Sequence, residues 1–151
     1  MPESRSPVRE RHPLGLRRAW DGWRGATDLG RYRALPLRVE GGWIRPCPRG
    51  IAAARTAGER APVLLETVAE AVLAHLRAGE LDGVPLTRRG VRVPEEVWEL
   101  VEPCHVGVAH MRGFERVEIG LSVAWDEEHL WGALFHDWRL VELNESVPAI
   151  R

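Results

Sequence analysis

The chain has 151 residues, a mass of 17.0 kDa and a formal net charge of −1. Its 44% apolar and 28% charged residues match a globular domain and exclude a wholly disordered chain, a collagenous one and a coiled coil. No apolar run approaches the ~20 residues of a membrane span, and no apolar stretch follows the Arg-rich start, so neither a membrane span nor a secretory signal is expected and the expected location is cytoplasmic.

Charge is unevenly spread. All 21 basic residues are arginine. Residues 1–60 carry 13 Arg against 6 acids, a net of +7, and residues 61–151 carry 8 Arg against 16 acids, a net of −8. A lone basic run is a weak nucleic-acid motif, so nucleic acid is not the expected partner.

Residues 1–19 hold three prolines, five arginines and little periodicity, and are expected to form a disordered arm. Residues 20–146 are expected to form one α+β domain, and 147–151 a tail. Trp20 to Gly30 is expected to dock as irregular structure. The alternation of Leu35 to Glu40, the Gly41-Gly42 pair and Trp43 to Arg45 predict an N-terminal hairpin over about 35–45. Residues 49–60 read as a linker. Pro62 then opens a helix over about 62–77, with Leu65, Val68, Ala69, Val72 and Leu76 on one face. His75 has Ala71 and Gly79 at i±4 and reads as a helix-end histidine. Asp82-Gly83 and Pro85 mark a loop, and residues 94–101 a short second helix with Pro94 at its first position.

From Cys104 the period becomes two. Residues 105–111 form a strand, and Arg112-Gly113 turns the chain. Val117, Ile119, Leu121, Val123 and Trp125 alternate with Arg116, Glu118, Gly120, Ser122 and Ala124, which predicts a half-buried strand with the second set facing solvent. Asp126-Glu127-Glu128 reads as a turn, 129–135 as a third strand, His136-Asp137 as a reversal and 138–143 as a fourth strand. Short connections make neighbours antiparallel. The predicted fold is therefore an α+β four-stranded antiparallel meander (about 104–143) packed against the 62–77 helix.

Cys47 and Cys104 form no C-x-x-C pair, so no zinc ribbon or thioredoxin-like site is expected. Adjacent strand residues point to opposite faces, which argues against Cys104 and His105 as nucleophile and base. The densest cluster of chemical groups is Trp125-Asp126-Glu127-Glu128-His129. Carboxylates and imidazole are metal ligands, and a turn would let Asp126, Glu128 and His129 converge. The bland reading makes Asp126 an acceptor for backbone N–H groups in its own turn.

The stretch Val123-Ala124-Trp125-Asp126-Glu127-Glu128-His129, with the residue 94–100 segment before it, resembles a family of uncharacterised bacterial domains. That family's signature is Trp-Asp-x-Glu-His-Gly-Leu-Gly-Val. Here Leu130-Trp131-Gly132-Ala133 follows the histidine, and only Gly132 is kept. The resemblance covers roughly residues 90–143. It implies the fold and singles out Trp125, Asp126, Glu128 and His129, but no reaction.

The sequence contains no P-loop, G-x-S-x-G, H-E-x-x-H or Rossmann fingerprint. The expected function is a non-enzymatic interaction module with a protein partner and no cofactor, by analogy with small acidic α+β proteins that block a toxin. Trp20, Trp23, Trp131 and Trp138 are its candidate surface anchors, whereas Trp98 and Trp125 are expected in the core. The alternative is a metal-binding domain or metal-dependent hydrolase centred on Asp126, Glu128 and His129.

Overall fold

The computed structural model describes residues 13–81 and 91–147. Seven strands lie side by side in sequence order: β1 (Arg17–Ala19), β2 (Gly22–Leu29), β3 (Tyr32–Val39), β4 (Val101–Met111), β5 (Phe114–Val123), β6 (Asp126–His136) and β7 (Arg139–Val147). All neighbours are antiparallel except β3 and β4, which are parallel. A parallel step needs a long crossover. Two helices between these strands supply it, α1 (Pro48–Glu59) and α2 (Ala61–Leu81).

The helices cover one face of the sheet. Leu37, Val39, Val106, Val108, Val117, Ile119, Leu121, Ala133 and Phe135 alternate inward along β3–β6 and are buried. They meet Ala53, Ala54 and Ala57 of α1 and Leu64, Val68, Val72 and Leu76 of α2. Among the described residues no helix is long and apolar enough to cross a membrane.

The α+β class and the antiparallel meander are present, but the sheet is larger than predicted. The meander runs from 101 to 147 and forms four of seven strands. The N-terminal hairpin is β2–β3, turning at Gly30-Arg31, not a 35–45 hairpin. Both edges of β3 are taken, by β2 and β4, so residues 43–45 have no edge to pair with. Residues 13–19, expected in a disordered arm, form a 3₁₀ turn and β1. Trp20 to Gly30, expected to be irregular, is mostly β2. Residues 1–12 of the arm, the loop at 82–90 and residues 148–151 of the tail lie outside the described residues.

The expected linker at 49–60 is α1. Its core face consists of Gly50, Ala53, Ala54 and Ala57, which carry no bulky periodicity but let the helix lie close to the sheet. Alanine is the strongest helix former. The short second helix is a 3₁₀ helix over Pro94–Glu99, and β4 starts two residues later at Val101. The last reversal is at Asp137-Trp138, one residue later than predicted, with φ of 46° and 69°.

Candidate functional site

The Trp125–His129 cluster is not the turn that its composition suggested. The turn is Ala124-Trp125, and Asp126 already pairs with Val123 as the first residue of β6. Asp126 Oδ1 accepts the backbone N–H groups of Glu128 (3.2 Å) and His129 (3.1 Å), and Nδ1–H of the His129 ring (3.0 Å). The His129 imidazole holds the Asp126 carboxyl below the usual carboxylate range, against the cost of burial, with the two N–H groups adding to it. Glu128 meets this cluster through its backbone N–H. Trp125 packs edge-on against Trp131 at 5.4 Å. Among the described residues no three His, Cys, Asp or Glu side chains are gathered so as to hold a metal ion.

The helix-free face of the sheet carries a second cluster. A β-bulge between Pro103 and His105 breaks strand alternation, and Cys104 Sγ comes within 3.7 Å of His105 Nδ1. The alternation argument against that contact therefore fails locally. Proline is tolerated there because β4 pairs with β3 only from Val106 onward. His105 is 1% exposed and its ring lies on Gly120, where a Cβ would overlap it. His105 Nε2 stands 3.7 Å from Glu118 Oε1. The imidazole holds the Glu118 carboxyl below its usual range, against the cost of burial, and Arg116 and Arg38 help. Glu118 was expected to face open solvent; it is half-buried on the predicted face. Burial first, and then the charge of Glu102, push the Cys104 thiol up. A raised thiol beside a closed-over imidazole is poorly placed as a nucleophile.

The same face carries one row of side chains across all seven strands. The register aligns Arg17, Arg24, Arg38, Gly107, Glu118, Leu134 and Glu142. Like charges directly opposite one another are unfavourable. Asp21 offsets part of this: its Oδ2 lies 3.0 Å from Arg24 and 3.9 Å from Arg38, and its carbonyl accepts Arg38 Nη2 at 3.3 Å. The Arg24 hydrogen bond, more than the charges of Arg24 and Arg38, holds the Asp21 carboxyl low against the cost of burial.

Beside this row the β1–β2 turn and the β3–α1 loop expose large apolar side chains. Trp20 is 90%, Trp43 73% and Ile44 90% exposed. The loop is built to hold that shape. Trp23, buried beneath it, donates Nε1–H to the Gly42 carbonyl at 3.0 Å. Gly41 bridges to Pro46, and a Cβ at Gly41 would stand 2.6 Å from Pro46 Cα. The Arg18 guanidinium lies 3.2 Å above the Trp43 ring. Two clefts adjoin here, one running from Trp20 to Trp43 and one from Gly107 to Glu118; both are lined by Arg38 and Glu40.

Of the four anchors expected from sequence, only Trp20 is fully exposed. Trp23 and Trp131 are buried, and Trp138 packs half-buried against the core. Trp98 and Trp125 also pack there, partly buried, as expected. The exposure of Trp43 and Ile44 is not legible in a sequence pattern that reads as a strand. Pro46 and Pro48, which bar a regular strand, were the available signal.

No family model matches the chain, and neither a curated protein nor a solved structure matches it.

Proposed function

We propose that the chain is a non-enzymatic protein-binding module. Its docking surface is formed by Trp20, Trp43 and Ile44 with the arginines around them. The observation that carries this reading is the exposure of all three apolar side chains on two loops, each held to the sheet by a hydrogen bond, Gly42 by Trp23 of β2 and Asp21 by Arg38 of β3. Two tryptophans and an isoleucine present on the order of 500 Å² of surface, the size of patch that marks interaction sites. Burying each is worth ~1.5–3 kcal/mol. Trp and Arg are the preferred anchors of protein interfaces, and a loop already fixed loses little entropy on binding. The Cys104–His105–Glu118 cluster, with its raised thiol, gives no comparable support to an enzyme.

The test is a comparison of wild type with Trp20→Ser/Trp43→Ser/Ile44→Ser. A protein captured from the native host by wild type is purified and titrated against both by calorimetry. A saturable complex is expected with wild type, and a loss of at least roughly tenfold with the variant, about 1.4 kcal/mol. Equal affinity would place the docking surface elsewhere.

A further inference from the structure

The charge around these anchors specifies the partner's chemistry. Sheet order follows sequence order, so the basic first part of the chain and the acidic second part become opposite sides of one face. In the row across the sheet, the first three strands contribute Arg17, Arg24 and Arg38, and β5 and β7 contribute Glu118 and Glu142. Strands are ~4.8 Å apart, so these arginines stand on neighbouring strands of one face, and Arg38 also lines the cleft that runs from Trp20 to Trp43.

The chain's own acids do not balance them. Asp21 serves Arg24 and Arg38, yet Nε of each lacks a hydrogen-bond acceptor among the described residues. Arg17, Arg18 and Arg45 have no carboxylate within 4.0 Å among the described residues. Glu40 is the other acid lining the cleft. The surface thus joins apolar anchors to surplus positive charge.

We infer that this surface binds an acidic protein segment with an apolar or aromatic anchor. Its anchor would pack on Trp20, Trp43 and Ile44 while its carboxylates meet Arg18 and Arg38, which line the cleft between the two tryptophans, and Arg45 next to Ile44. Arg pairs with carboxylates in a planar two-point fork, and complementary charge steers the encounter. A polyanion such as single-stranded nucleic acid fits less well. It would stack bases on flat rings, but Ile44 has no ring, one face of Trp43 is covered by Arg18, and the row turns acidic at Glu118. Residues 1–12 carry three Arg against two Glu and have the wrong sign to be the occupant. A second copy, offering its acidic side, is the remaining alternative.

The inference rests on the docking surface proposed above, and one experiment separates the two. A random-peptide display library is selected on wild type and counter-selected on the Trp20→Ser/Trp43→Ser/Ile44→Ser variant. Enriched peptides are then titrated by fluorescence against wild type, that variant and Arg18→Glu/Arg45→Glu. Both variants change only exposed side chains, and circular dichroism verifies their folds. The expected peptides are acidic with an apolar centre. Their affinity should fall roughly tenfold in each variant and weaken as salt is raised. Neutral or basic peptides that depend on Trp20 and Trp43 would overturn the acidic partner and leave the docking surface standing. Peptides indifferent to the triple substitution would overturn the surface itself. Tighter binding of oligothymidylate than of any peptide would overturn the protein partner. So would sedimentation showing self-association that the triple substitution abolishes, since the occupant is then another copy.

Discussion

The indole N–H of Trp23 bonds to the carbonyl of Gly42 at 3.0 Å, tying strand β2 to the loop that displays Trp43 and Ile44. A buried ring thereby fixes the shape of an exposed surface. Trp23→Phe keeps the aromatic packing and removes the donor. Its melting temperature should fall modestly, because one hydrogen bond is worth about 0.5–1.5 kcal/mol. Amide exchange at residues 41–45 should accelerate far more than exchange in β4 or β5. Uniform acceleration would show that Trp23 supports the core and not the loop.

His105 occupies the space that a side chain on Gly120 would need. Gly120→Ala should therefore destabilise the protein by roughly 1–3 kcal/mol, the usual cost of overpacking. Removing the ring should relieve the conflict. In the double variant with His105→Ala, Gly120→Ala should cost less than it does alone, a coupling read by a double-mutant cycle. Additive costs in chemical denaturation would contradict the packing described.

Glu118 gives a pH prediction with a definite sign. Its folded carboxyl titrates below the usual range, so its ionised form contributes stability above the unfolded value. That contribution is lost as pH falls through the lowered folded value. Glu118→Gln should thus melt below wild type at neutral pH, and the two curves should converge in acid. An offset that stays constant across the pH range would mean that ionisation of Glu118 is not what matters.

Asp126 serves as an acceptor within its hairpin end. Asp126→Ala should lower the melting temperature, since two backbone N–H groups and the His129 ring lose their partner. Added zinc should leave wild type and variant unchanged. Zinc stabilisation of wild type that disappears in the variant would return the cluster to metal chemistry.

These residues also show what could be read from sequence. The alternation of Val117 to Val123 reports a strand buried on one face, and short connections fix β4–β7 as antiparallel neighbours. The bulky stripe of α2 is equally legible, although Leu64 is its fully buried first leucine and Leu65 is only partly buried. The alanine face of α1 is not, because small residues give a helix contact without a hydrophobic period. β2 was obscured by Gly22, Gly25 and the polar residues of its outer face. The Cys104–His105 contact depends on a bulge, which alternation rules cannot anticipate. The role of Asp126 as a backbone acceptor is legible as one of two readings, but the place of its turn is not, because the reversal uses Ala124 and Trp125. The proposed docking surface is partly visible in Trp20 and the arginine excess. Its other half was hidden by giving Trp43 and Ile44 to a strand for which β3 has no free edge.

The most direct measurement is hydrogen–deuterium exchange on the complex with the captured partner. Protection should concentrate in residues 17–24 and 38–46, the segments that carry Trp20, Trp43, Ile44 and the arginine row. Protection confined to α2 or to the β7 edge, with those segments exchanging as in the free protein, would contradict the proposed docking surface.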